Sequence, residues 1–323
     1  MPHLLTSESN MTPPPPHPAS VPFQSVDDAL LRLTAEAYLP SGETVMAAFL
    51  MDRLEKPLLV EGPAGVGKTE LARALAKALG RELVRLQCYE GLDEAKALYE
   101  WEYAKQLLYT QLLRDKIGSL TQGTQTLAEA ADRLASEDAV FFSRRFLLPR
   151  PILQALVSER PALLLIDEVD KADPEFEAFL LEVLQDNAVT LPELGTIQAV
   201  HVPRVVLTSN AARELSDALR RRCLHLHLGY PSRDRELAIL KRRLPGVADT
   251  LLSEVVQAVS VLRSMDLKKA PSLSETIDWA LALVLLNADR LDAELVEQTL
   301  NVVLKHQVDV DKARGKLQEI APS

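Results

Sequence analysis

KPLLVEGPAGVGKTELARALAKALG, residues 56–80, decides how the rest of the chain is read. It opens with a short apolar run, Leu58-Leu59-Val60, bounded by Pro57 and Gly62, which predicts a buried strand. It closes with Leu71, Leu75 and Leu79 on one helical stripe and Gly80 as a stop. Between them, GPAGVGKT fits G-x-x-x-x-G-K-[ST] with Gly62, Gly67, Lys68 and Thr69. A glycine-rich turn between a strand and a helix start lets backbone N–H groups converge on an anion, and the helix terminus adds positive potential. Gly62, Pro63, Ala64, Gly65, Val66, Gly67, Lys68, Thr69 and Glu70 are therefore candidate nucleotide-binding residues. Lys68 is placed to reach the β and γ phosphates, and Thr69 to offer a hydroxyl to Mg²⁺.

Downstream, PALLLIDEVD at 161–170 is a second buried strand running into acid. It delivers Asp167 and Glu168 to the carboxyl edge of a sheet, where open α/β folds bind ligands. Asp167 is the candidate to hold Mg²⁺ through its water shell, and Glu168 the group that polarises the attacking water. ELVRLQC and PRVVLTSN read as further strands, and LHLHL as a strand with strict alternation. DPEFEAFLLEVLQ reads as a helix with Asp173 as N-cap and Pro174 at its first position. VTLPELGTIQ reads as a hairpin with its turn near Pro192 to Gly195. Strands alternating with helices predict the α/β class, with a parallel sheet covered on both faces.

Composition sets limits around this reading. The chain has 323 residues, enough for one large domain or two ordinary ones. A formal charge of -10 opposes a general nucleic-acid or anionic-membrane binder. Cys88 and Cys223 form no disulfide framework, which points to a reducing, cytoplasmic setting. Apolar runs such as WALALVLL are too short to span a bilayer. Residues 1–24, with PPPPHP, read as a disordered Pro-rich tail. Residues 25–229 read as the nucleotide-binding core, with a helical insertion at about 90–145, and 230–323 as an all-helical domain.

These motifs together resemble the AAA+ ATPases, and within them the MoxR family, from Val26 to the C-terminus. The likeness extends to YEGLDEAKALYEWEYAKQLLY, DEVDKADPEFEAFLLEVL and LSDALRRRC, which resemble the accessory ATPases encoded beside aerobic carbon monoxide dehydrogenases. The resemblance implies an αβα core with a small helical lid, binding of ATP with Mg²⁺, and ATP hydrolysis. It makes Asn210, in LTSN, the first sensor, and it places an arginine finger in ALRRRC, where Arg222 is the candidate and Arg221 a second contact. Such a finger acts across a subunit interface, so a homo-hexameric ring is implied. So are a partner with a von Willebrand factor A domain and a client metalloenzyme such as a molybdenum hydroxylase, whose cofactor assembly the ATPase assists.

One departure concerns the lid. Where the class carries a second sensor arginine, this chain reads APSLSETIDWA, with Ser274 at the expected place. Ser272 and Glu275 there fit a capping box. His225 and His227 alternate with Leu and could share a face and bind metal, but no Cys or carboxylate at suitable spacing supports them apart from nearby Cys223, so they read as the polar side of a strand. Tyr99, Trp101, Tyr103 and Tyr109 lie among Glu94, Glu100 and Glu102, which favours packing or a protein-binding face over nucleic-acid stacking. Three other functions fit parts of the sequence. RRRC also resembles the motif of clamp loaders, which would fit a nucleic-acid motor or loader, a P-loop kinase would use the same nest, and the missing second sensor fits an ATP-gated scaffold.

Overall fold

The computed structural model describes residues 20–112, 146–192 and 194–321. In the strand Ala162–Asp167 (β5) all six residues are buried, as a parallel strand covered on both faces requires. It belongs to a five-stranded sheet with Leu58–Glu61 (β1), Glu82–Gln87 (β2), Arg204–Ser209 (β8) and Leu224–His227 (β9). The order is β2-β5-β8-β1-β9, and every neighbouring pair is parallel. Gln87 lies level with Asp167, and Glu61 level with both Ser209 and His227. The polar residues that end each strand are thus gathered along one edge.

Alternation along β5 feeds two separate cores. Leu163 and Leu165 pack with the helices Val26–Ala35 (α1), Gly42–Leu54 (α2) and Lys68–Ala78 (α3). Leu164 and Ile166 pack with Glu94–Leu98 (α4), Pro151–Val157 (α6), Pro174–Asp186 (α7) and Asp217–Arg222 (α8). The result is the three-layer α/β arrangement expected from the sequence. Pro174 stands at the first position of α7 and Asp173 at its N-cap, but the Asp173 side chain caps nothing. The hairpin is formed by Ala188–Leu191 (β6) and Gly195–Gln198 (β7).

Two expectations need correction. The first concerns the end of the tail: residues 1–19 lie outside the described residues, but 20–24 are not a loose leader. Phe23 is fully buried among α1, α2 and α3, with the Arg32 guanidinium 4.9 Å from its ring centroid. Its N–H donates to Asp52 at 2.8 Å, and Asp52 also holds the buried Arg204 of β8 at 2.9 Å. One aromatic ring in a run of small and polar residues was the signal for this anchor. Phe23→Ala is expected to cost about 3–5 kcal/mol of stability. Urea unfolding with tryptophan fluorescence checks it, and a loss below about 1 kcal/mol would mean the ring is not part of the core.

The second concerns the insertion. Its described part is not wholly helical. Tyr99–Trp101 (β3) follows α4 and pairs antiparallel with Leu147–Pro149 (β4), while Tyr103–Leu112 (α5) begins the excursion. Tyr99 and Trp101 meet edge to face, with centroids 5.7 Å apart. Residues 113–145 lie outside the described residues.

From Arg233 the described chain is helical: Arg233–Arg243 (α9), Asp249–Ser264 (α10), Leu273–Leu285 (α11), Ala293–Val303 (α12), Gln307–Arg314 (α13) and Leu317–Ile320 (α14). These helices share their own apolar cluster around the fully buried Trp279. Inside it, the Trp279 indole donates to Thr299 at 2.7 Å, so the buried N–H is satisfied. Arg263 clasps the buried Glu236 at 2.7 and 2.9 Å and lies over the Tyr230 ring. Ser272 and Glu275 form the expected capping box at the start of α11.

Candidate nucleotide site

The turn from β1 to α3 lies where β1 passes between β8 and β9. Gly62 has φ 152°, and a Cβ there would sit 2.0 Å from the Leu228 carbonyl oxygen. At Gly65, φ is 75° and a Cβ would sit 2.2 Å from the Ser272 hydroxyl. Both positions therefore need glycine, for different reasons: backbone closes on the first, and the start of α11 on the second. Ser274 completes that approach, donating its N–H to the Gly65 carbonyl at 3.2 Å.

Lys68 opens α3 and is buried. Its Nζ donates to the Gly62 and Pro63 carbonyls at 2.6 and 2.8 Å and to Asn210 Oδ1 at 2.8 Å. Burial lowers its pKa, and the carboxylates of Asp170, Asp167 and Glu168 act in the opposite sense. The Thr69 hydroxyl faces both oxygens of Asp167, at 3.1 and 3.2 Å. Asp167 is itself buried and also accepts from Thr208 Oγ1 at 2.5 Å. A carboxylate beside a hydroxyl is an oxygen donor pair that fits Mg²⁺, with Thr69 and Asp167 as the residues to hold it.

Glu168 follows β5 in the left-handed region, at φ 57°. Its N–H donates to Thr208 Oγ1 at 2.9 Å. The side chain is held by three donors: Asn210 Nδ2 at 3.0 Å, Gln87 Nε2 at 2.9 Å and Lys171 Nζ at 2.7 Å. A non-glycine residue in this conformation is uncommon, and these contacts hold it there. Asn210 therefore joins the nest to the acidic strand, with its oxygen on Lys68 and its amide on Glu168. The cleft encloses about 340 Å³, and its walls include Lys68, Thr69, Asp167, Glu168, Asn210 and Ser274.

The finger candidates stand apart from these groups. Neither Arg221 nor Arg222 lines the cleft. Arg222 donates to the Ala218 carbonyl and to Gln185 Oε1, each at 2.9 Å. Arg221 is exposed, without a hydrogen-bond or ionic partner among the described residues. Their neighbour Arg220 reaches Glu61 at 3.3 Å, and His225 bonds the same carboxylate. Sequence reasoning found no carboxylate for the histidines; Glu61, on the adjacent strand, is one. Burial pushes the Cys223 thiol up to about 12, so at neutral pH it is no thiolate ligand beside them.

Four polar residues of the site went unremarked in the sequence. Asp170 is buried and accepts the backbone N–H groups of Asn210 and Ala212, which fixes the loop carrying Asn210. Thr208 bridges Asp167 and the Glu168 backbone. Arg85 and Gln87 reach the two acids from β2. Their signal was faint: two polar residues spaced by two on a strand whose Val84 and Leu86 are apolar.

The sequence profile of the AAA domain (dynein-related subfamily) matches residues 57–223, more than half of the chain. The chain is an AAA+ ATPase. Protein NorQ of Paracoccus denitrificans (strain Pd 1222) is 24% identical to it over 271 residues, 81% of this chain and 87% of NorQ. The gas vesicle ATPase GvpN of Ancylobacter aquaticus is 25% identical over 231 residues, 68% of this chain and 58% of GvpN. The chaperone protein ClpB 2 of Parasynechococcus marenigrum (strain WH8102) is 34% identical over 156 residues, 47% of this chain but 13% of ClpB 2. With the fold, these similarities fit the MoxR family and support a chaperone-like ATPase that binds nucleotide and hydrolyses ATP. Among its described residues, the ATPase has no helix long and apolar enough to cross a membrane.

Proposed function

We propose that this ATPase works as a hexameric, cytoplasmic, MoxR-type ring that spends ATP on remodelling a protein client. Residues 62–70 hold the phosphates, Thr69 and Asp167 hold Mg²⁺, and Glu168 activates water oriented by Asn210. Bound there, the metal would supply charge neutralisation for the phosphates. In this reading residues 25–229 are the core and 230–323 the lid, a division supported by the separate apolar cluster around Trp279.

The observation that carries the ring is an absence from the cleft. Lys68, Arg73 and Arg85 line it, but no arginine of α8 does. If an α8 guanidinium stabilises the transferred phosphoryl, as the resemblance implies, it comes from another copy. Arg222 is already engaged within its own chain, so the exposed Arg221 is the better placed of the two to reach outward. The client and its partner rest on the resemblance alone: a metalloenzyme such as a molybdenum hydroxylase, with a von Willebrand factor A domain protein as go-between. Co-expression of all three, followed by metal analysis of the hydroxylase, tests that part. Equal metal loading with and without the ATPase would refute it.

Mixed rings test the assembly. Subunits carrying Arg221→Ala and Arg222→Ala together should bind ATP normally and hydrolyse it poorly. Mixed with Glu168→Gln subunits, they create interfaces where an intact Glu168 meets intact arginines. Turnover should rise well above either preparation alone, and the two single arginine variants then identify the finger. If verified mixed rings stay inactive, or a proven monomer hydrolyses at full rate, the ring fails and a monomeric kinase-like enzyme or a scaffold takes its place.

A further inference from the structure

Asp167 has one cation on it that the reaction described so far does not use. Arg85 projects from β2, with its side chain 43% exposed. Its Nε and one Nη donate to the same oxygen, Asp167 Oδ2, at 3.1 and 2.6 Å. The Thr69 hydroxyl lies 3.2 Å from that oxygen. A divalent ion held by Thr69 and Asp167, directly or through its waters, would compete with Arg85 for the negative charge of the same carboxylate. Two cations a few ångströms apart also repel strongly where water is partly excluded. The guanidinium must then give up at least part of its hold on the carboxylate when the metal arrives. It is left beside the phosphates, in the cleft that it lines with Lys68 and Thr69.

We propose that Arg85 is the cation that reads the third phosphate: it neutralises Asp167 while the cleft is without nucleotide, and transfers to the terminal phosphate when Mg²⁺ and ATP enter. The chemistry suits the exchange. A planar guanidinium pairs with carboxylate and phosphate through the same fork of donors, so one partner replaces the other without loss of geometry. Arg85 is half exposed, so it can move without a large desolvation cost. Lys68 is less able to do so, being buried and held by two carbonyls and Asn210. From the lid, the cleft receives Ser274, a hydroxyl and not a cation. Arg73, the other exposed cation in the lining, lies a helical turn beyond Thr69 and has no bond to either acid. The inference rests on the reading of the cleft as a Mg²⁺–ATP site.

Equilibrium binding of ADP and of a non-hydrolysable ATP analogue, each with Mg²⁺, separates the two. The unaltered protein should bind both and prefer the analogue. Arg85→Ala should weaken the analogue roughly tenfold to a hundredfold, the loss of one charge-assisted contact, and ADP far less. Arg85→Lys, which keeps the charge but loses the fork, should fall between. Arg85→Gln covers the case in which Arg85→Ala does not fold, and must show the same collapse of preference. With Arg85 gone, Mg²⁺ alone should bind more tightly, because its competitor for Asp167 is removed. Equal weakening of both nucleotides would overturn the proposal, as would loss of preference in Arg73→Ala with Arg85→Ala unaffected. An unaltered protein that binds neither nucleotide would instead overturn the ATP reading on which the proposal stands.

Discussion

Lys68→Ala should lose tight ATP binding and stay folded. The amine is buried at the head of α3 and converges with two carbonyls and Asn210 on one point. Removing the charge takes away the one lysine of the phosphate nest. Truncating one partner of a buried, hydrogen-bonded charge pair costs about 2–5 kcal/mol, roughly a thirtyfold to several-thousandfold rise in Kd. The fold survives because Ala is a strong helix former. The carbonyls of Gly62 and Pro63 are left facing a cleft that water can enter. Asn210 loses its lysine but keeps Glu168. Titration with a fluorescent ATP analogue, alongside circular dichroism, measures both halves. Unchanged affinity in a folded variant would remove the nest from the ATP site.

Glu168→Gln should keep ATP bound and slow its hydrolysis by roughly 10²- to 10⁴-fold, the usual worth of a positioned general base. The structure sharpens the expectation. The carboxylate faces three donors, from Asn210, Gln87 and Lys171. A carboxamide can accept at one end only. Its NH₂ must face a donor or turn away, so the group that orients water loses alignment as well as basicity. Asp167, Thr69 and Lys68 are untouched, so nucleotide affinity should stay within a few-fold, as uniform binding is preserved. Steady-state phosphate release and nucleotide titration on one preparation check this. Near-normal turnover would assign water activation elsewhere.

How much of this was legible in the sequence depended on whether a signal was local. The strand–nest–helix unit at 56–80 and the strand ending in Asp167 and Glu168 are continuous in the chain, and each reports itself through an apolar run and the residues that end it. The alternation of LHLHL and the box at Ser272 and Glu275 are of the same kind. What escaped needs two distant segments at once. Gln87 matters because parallel register sets it level with Asp167. Asp170 matters because it accepts from a loop 40 residues away. Phe23 was misread because the tail's composition speaks for disorder, and a single anchoring ring changes that average very little. Trp101 and its neighbours look helical by propensity, yet pairing with Leu147 draws them into a ribbon.

The burial of β5 has a mechanical meaning. Its six residues are packed on both faces, and parallel partners flank it on both sides. Such a strand is stiff, and the acids at its tip are mounted like teeth on a fixed jaw. The other jaw is held more lightly. Ser274 touches Gly65, Arg243 reaches Glu70 at 2.7 Å, and Arg235 reaches the Leu39 carbonyl at 2.8 Å. Stress generated by bound phosphates would be expected to meet more resistance in the sheet than in these polar contacts. If turnover moves one part against the other, the helices after Arg233 are the part expected to shift as a unit on their own core, while the acidic edge keeps its aim.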